Sequence, residues 1–146
     1  MGPDSSRCTD MRLEYDVTAG DFTRAGNASS AIKKTLKQLG VSPAVIKRVV
    51  VAVYEAEVNI VAHSYGGHIT AEVAPEGISV VLADTGPGIP DVQKAMQKGF
   101  STASKEVREM GFGAGMGLPN IQENADDLKI ETEVGRGTTL TIYIKF

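Results

Sequence analysis

The sequence predicts an α+β fold, a two-layer α/β sandwich whose sheet is mixed but mostly antiparallel and is covered by helices on one face. Three observations lead there. Several short segments carry the two-residue period or the unbroken apolar run of strands, and longer ones carry apolar residues at helical spacing. Their order, β-α-α-β-β-α-loop-α-β-β, implies a helix layer over a largely antiparallel sheet. The 146 residues, 42% hydrophobic and 23% charged, suit one domain with a real core and exclude both a disordered chain and a disulfide-stapled miniprotein. The domain is expected over residues 11–146, behind a disordered N-terminal tail over 1–10, with no internal repeat and no linker.

Met11, Leu13, Tyr15 and Val17 alternate with Arg12, Glu14 and Asp16, the pattern of a half-buried strand. From about Arg24 to Leu39 a helix is expected, with Ala31, Ile32, Leu36 and Leu39 at helical spacing and Gly40 suited to its C-terminus. Ser42 then caps a second helix, which takes Pro43 in its first turn and follows a Val-rich run to about His63, before Gly66 and Gly67 end it. Its β-branched residues alone would also permit a strand, but about 20 residues without a turn signal are too many for one strand.

His68–Val73 and Ile78–Ala83 predict an antiparallel pair joined by Pro75, Glu76 and Gly77, with Gly77 available for a positive φ. The second segment is almost wholly apolar, as an interior strand should be, and stops at Asp84. A short helix fits Asp91 to Gln97. Residues 99–117 carry five glycines and no apolar period, which predicts a mobile loop of a length that usually serves function. Leu118–Asp126 then predicts a helix, Leu128–Val134 a strand, and Gly135-Arg136-Gly137 a turn. Thr139–Phe146 closes the chain as a strand with Leu140, Ile142, Ile144 and Phe146 on one face.

Charge narrows the function. Lys and Arg number 15 against 18 Asp and Glu, a net charge of −3, and no basic run stands out to track a phosphate backbone, so nucleic acid is not expected as a partner. No stretch approaches the roughly 20 apolar residues of a membrane span, and the polar opening from Met1 to Ser6 lacks the apolar centre of a secretion signal. The single cysteine, Cys8, cannot form an internal disulfide. A cytoplasmic protein with no membrane partner is expected.

Three groups of residues could carry chemistry. Glu55 and Asn59, four apart on the long helix, project from one face one turn apart. A carboxylate and a carboxamide presented together offer hard oxygens to water or magnesium, and the carboxylate can also take a proton. An ordinary polar helix face has the same spacing. His63 is expected to end that face without binding metal, and Glu57, pointing elsewhere, is expected to be solvated. Asp84, at the end of an apolar strand, can accept a hydrogen bond from an exocyclic amine, while Gly86 and Gly88 let a planar ring approach the backbone. A plain turn would place Asp there too. Gly111, Gly113, Gly115 and Gly117 alternate before a helix and offer backbone N–H groups and a positive helix end to a phosphate chain, though a flexible linker is also glycine-rich. The pattern is neither a P-loop nor a dinucleotide fingerprint.

Together these blocks resemble a known superfamily. Glu55-Ala56-Glu57-Val58-Asn59, Asp84-Thr85-Gly86-Pro87-Gly88-Ile89 and Gly113-Ala114-Gly115-Met116-Gly117-Leu118, followed by Gly137-Thr138-Thr139, look like the four boxes of the Bergerat-fold ATPases, which include gyrase, Hsp90, histidine kinases and MutL. Phe100-Ser101-Thr102 and Gly117-Leu118-Pro119-Asn120-Ile121 make the chain most similar to the bacterial anti-sigma-factor and stressosome-switch serine kinases. The resemblance implies ATP and magnesium as cofactors. It makes Glu55 the general base for an acceptor serine and Asn59 the magnesium ligand. It assigns Asp84 to the adenine amine, Gly86 and Gly88 to the adenine wall, and Thr138 to its support. Gly113, Gly115, Gly117 and Leu118 fall in the box that closes an ATP lid over about residues 99–117, and either Lys105 or Arg108 is the lid's basic residue.

The implied function is an ATP-dependent protein serine/threonine kinase and anti-sigma regulatory factor that phosphorylates a STAS-type anti-anti-sigma protein. The alternative is a non-catalytic module that binds a sigma factor or other regulator under nucleotide control. A sigma factor, a phosphatase and a homodimer stay open as further partners.

Overall fold

The computed structural model describes residues 11–21, 23–86 and 117–146. Segments of two-residue period form five strands: β1 (Met11–Val17), β2 (Gly67–Ala74), β3 (Gly77–Asp84), β4 (Asp127–Glu133) and β5 (Gly137–Lys145). Helical spacing gives α1 (Asn27–Gln38), α2 (Pro43–His63) and α3 (Gly117–Asn124). The sheet runs β1-β2-β3-β5-β4, and every neighbouring pair of described strands is antiparallel. This is the expected α+β architecture. The expected tail over 1–10, the short helix over 91–97 and the glycine-rich loop before Gly117 lie outside the described residues.

The register explains the core. Opposed residues on one face form rows across the sheet: Leu13, Ala71, Val80, Ile142 and Leu128 in one, and Tyr15, Ile69, Leu82, Leu140 and Ile130 in the next. Because side chains alternate along each strand, all of these point to the helix layer, where they meet Ile32 and Leu36 of α1, Val49, Val53 and Ile60 of α2, and Ile121 of α3. Fully burying one such aliphatic side chain contributes roughly 1.5–3 kcal/mol. This burial overrides the strand preference of the valines in α2, whose centre is buried at Val49, Ala52, Val53 and Ala56.

Local chemistry sets the ends. Ser42 caps α2 by accepting the Val45 N–H at 3.3 Å, with Pro43 opening the helix. Gly40 takes φ 78° beyond α1, so that its N–H reaches the Lys37 carbonyl and the Val41 N–H reaches that of Leu36, both at 3.1 Å. The helix expected from Arg24 starts only at Asn27, because Gly26 is left-handed at φ 98° and the preceding residues close turns of their own. α3 stops at Asn124, short of Asp126, whose N–H turns to the Tyr143 carbonyl of β5 at 2.9 Å. Gly77 does not need the positive φ expected of it. A Cβ there would instead lie 2.6 Å from the Ile144 carbonyl oxygen, so the hairpin requires glycine for close approach to β5. Phe146 lies just past β5 and is exposed.

Candidate functional site

α2 carries Glu55 and Asn59 at half-buried positions one turn apart, where the helix faces away from the fully buried Val53, Ala56 and Ile60. Glu55 is held by a residue from far along the chain: the Asn120 side-chain amide of α3 donates to its Oε2 at 3.3 Å. No hydrogen bond takes Oε1 among the described residues. The contact belongs to a polar seam between the two helices. Arg48, two turns before Glu55 on α2, donates through Nε to the Asn124 carbonyl and through Nη2 to Asp126, each at 3.1 Å. Asp126 also accepts the Lys145 N–H at 2.7 Å, and that bond, followed by the one from Arg48, lowers its pKa.

Asp84 ends β3, the central strand. Its Oδ1 accepts the Thr138 N–H at 3.0 Å, and among the described residues no hydrogen bond takes Oδ2. Partial burial raises its pKa, and the bond from Thr138 opposes that shift. The approach of β5 depends on Gly137, at φ 142°, where a Cβ would run into the Asp84 carbonyl oxygen. Thr138 is buried, with its hydroxyl 2.9 Å from that of Thr132. Beyond Asp84 the chain is clamped on both sides. The Tyr65 N–H donates to the Thr85 carbonyl at 2.7 Å, the Thr85 N–H to Gly66 at 3.0 Å, and the Gly86 N–H to Arg136 at 3.2 Å. A Cβ on Gly86 would lie 3.0 Å from the Ser64 Cα. The loop leaving α2 therefore ties the helix that bears Glu55 and Asn59 to the strand end that bears Asp84.

Of the other candidates, Gly117 opens α3, and Leu118 is buried in the core, so only its backbone faces the helix end. The first turn of α3 contains no acidic residue, which leaves its positive end uncompensated from within. Gly88, Lys105, Arg108, Gly113 and Gly115 lie outside the described residues. His63 is the last residue of α2, and no group of three or more His, Cys, Asp or Glu able to hold a metal occurs among the described residues.

One expectation fails. Glu57 is not solvated but 3% exposed, and its carboxylate accepts the Ala28 N–H at 3.1 Å and the Ser29 N–H at 3.3 Å. α1 has no side-chain cap of its own at Gly26, so α2 supplies the acceptor that the first turn lacks. Glu57 and Asn120 both escape local sequence reasoning, since each meets its partner across a long stretch of chain. The one local hint for Glu57 was a helix whose start offers glycine where a Ser, Thr, Asn or Asp cap would be usual.

Comparison with known proteins matches residues 18–144 to the histidine kinase-like ATPase domain. The serine/threonine-protein kinase RsbT of Bacillus subtilis is 28% identical over 137 residues, covering 91% of each chain. The anti-sigma F factor of Caldanaerobacter subterraneus subsp. tengcongensis is 38% identical over 100 residues, covering 64% of this chain and 66% of that one. Among solved structures, the RsbU and RsbW domains of a Mycobacterium tuberculosis protein superpose with a TM-score of 0.62 at 16% identity, over 93% of this chain and 33% of that one. One in the SiaB–SiaC complex of Pseudomonas aeruginosa gives 0.58 at 13% identity, over 97% and 94%. These structural likenesses support the α+β fold.

Proposed function

The chain belongs to the histidine kinase-like ATPase domain family, and on that premise we propose that it is an ATP-dependent serine/threonine kinase and anti-sigma regulatory factor acting on a STAS-type anti-anti-sigma protein. Membership of an ATPase family implies ATP use. The names of its relatives, a serine/threonine kinase and an anti-sigma factor, support the finer reading. The observation that carries it is the half-buried Glu55, one carboxylate oxygen held by Asn120 and the other without a described partner, on the same helix face as Asn59.

The residues present fit the nucleotide. Asp84 Oδ2 is an acceptor with no described partner, facing a strand end kept close-fitting by Gly86 and Gly137. It would accept the adenine amine, while Thr138 fixes the carboxylate through Oδ1. The uncompensated start of α3 would receive phosphate on the backbone N–H groups of Gly117 and Leu118, since Pro119 has none and the Asn120 N–H falls within the bonding of the helix itself. Asn59 would hold magnesium through its carboxamide oxygen, and Glu55 would take the serine hydroxyl proton. Bound magnesium and ATP supply the transferable phosphoryl group and neutralise its charge. By resemblance, Gly88, Gly113, Gly115 and Gly117 complete the pocket, and Lys105 or Arg108 reaches the γ-phosphate. The lone Cys8 suits a reducing, cytoplasmic setting, and no helix among the described residues is long and apolar enough to cross a membrane. A sigma factor or phosphatase would be a second partner, and self-association into a homodimer belongs to the same proposal.

Calorimetry with magnesium, ATP and GTP, followed by transfer of labelled phosphate to a STAS-domain protein, tests the reading. ATP binding that GTP cannot replace, with transfer slowed about 100-fold or more but still measurable in Glu55→Gln, is expected. Undiminished transfer by Glu55→Gln would remove the proposed base. ATP-dependent partner binding with no transfer by the parent protein would leave the non-catalytic alternative.

A further inference from the structure

We propose that Asn120 is a positioning residue for Glu55, aiming the carboxylate so that one chosen oxygen receives the acceptor proton; this rests on the reading of Glu55 as the base. The Asn120 Nδ2 donates to Glu55 Oε2 at 3.3 Å across 65 positions of sequence. A carboxamide nitrogen only donates, so the contact commits Oε2 and leaves Oε1 as the oxygen with no described partner. A free Glu side chain samples many rotamers, and a proton acceptor held in one of them does not lose that freedom at the moment of reaction.

The donor stands on a fixed platform. Asn120 lies in the first turn of α3, between Pro119 and Ile121, both buried. Its own carbonyl accepts the Asn124 side-chain amide at 2.8 Å, and the Asn124 carbonyl accepts Arg48 Nε at 3.1 Å. Arg48 and Glu55 stand two turns apart on one side of α2, so both ends of the seam return to the helix that carries the base. The Arg48 guanidinium also bonds Asp126, which the Lys145 N–H holds to the end of β5. Rotation or sliding of α3 against α2 would break Arg48–Asn124 and Asn120–Glu55 together. The amide therefore reports the seating of α3, whose first turn is the proposed phosphate-binding end, directly to the base.

The test is single-turnover phosphorylation of a STAS-domain protein that the parent phosphorylates, with ATP affinity measured separately by calorimetry. Asn120→Ala is expected to lower the transfer rate by about 10- to 100-fold while leaving ATP affinity within about twofold. Asn120→Asp keeps the shape, removes the donor and sets a second carboxylate against the first, so its rate should fall at least as far, and it guards against a folding defect peculiar to Ala. The decisive measurement is the double variant: in a Glu55→Gln background Asn120→Ala should cost almost nothing further, because there is no base left to aim. A parental rate in Asn120→Ala, with Glu55→Gln severely slowed, would overturn the positioning role and leave the base in place. Equal losses of rate and ATP affinity, or full additivity with Glu55→Gln, would mark Asn120 as merely structural and overturn it as well. A fully active Glu55→Gln would instead remove the base reading itself.

Discussion

Asp84 combines two demands that pull apart. In the proposed adenine site it is an acceptor at a half-buried strand end, yet burial disfavours its charged form and raises its pKa, against the opposing Thr138 N–H. The unfolded chain releases this proton at a lower pH than the folded one, so ionised Asp84 works against folding as pH rises from the ordinary carboxylate value through the raised one, and beyond. Asp84→Asn retains an oxygen for the Thr138 N–H and removes the charge. We therefore expect the ligand-free variant to melt no lower than the parent, and slightly higher, at neutral pH, while ATP affinity falls about tenfold or more because a donor can now face the adenine amine. Thermal scans and calorimetry on the same samples check both halves, and a large drop in melting temperature would contradict the first. Glu57 is the opposite case, a buried carboxylate whose two oxygens are both used by N–H groups of α1. Glu57→Ala strips the cap from a helix that has no side-chain cap of its own, and about 2–3 kcal/mol of stability should be lost in urea titrations at unchanged m. Glu57→Gln keeps one acceptor and should fall between.

β1 is an edge strand of the sheet, and its polar face is fastened by charge. The His68 ring on β2 sits 2.7 Å from Asp16 and 3.2 Å from Glu14 of β1, while Arg12 reaches Glu14 at 3.7 Å and Glu72 of β2 at 3.8 Å. The hydrogen bond to Asp16 first, then that to Glu14, raises the His68 pKa. A raised folded-state value means that the contribution is complete below the ordinary imidazole pKa and is lost as pH climbs through the raised one. As pH rises above the ordinary imidazole value, amide exchange in β1 should therefore quicken relative to β3, beyond the intrinsic pH effect. His68→Gln should abolish that extra dependence. Exchange in β1 that tracks β3 throughout would show that the pairing of Leu13 with Ala71 and Tyr15 with Ile69 holds the edge without help from the imidazole.

At the scale of the molecule, what was legible in the sequence divides by distance along the chain. The strands from Met11 and Ile78, the capped start of α2 at Ser42 and the glycine end of α1 are written in windows of a few residues, where period and turn chemistry act. Glu55, Asn59 and Asp84 stood out because helix spacing and an abrupt strand end are local too. What joins them is not local. The bonds Asn120–Glu55, Thr138–Asp84 and Glu57–Ala28 span 65, 54 and 29 positions, and only the packed sandwich brings those partners together. The loop leaving α2 bonds Thr85, and the β4–β5 turn bonds Gly86, so the proposed adenine and metal ends share one rigid frame. A ligand gripping both ends should stabilise the whole domain rather than one lobe. Magnesium-ATP at about 100 times its dissociation constant would then add about 2.7 kcal/mol to the unfolding free energy, read as a single shifted thermal transition. Asn59→Ala should keep the shift produced by ATP alone and lose the increment that magnesium adds, because the adenine end is intact while the carboxamide oxygen is gone. If magnesium still adds its full increment in Asn59→Ala, the metal is held from somewhere other than α2, and the coupling of the two ends through that helix does not operate.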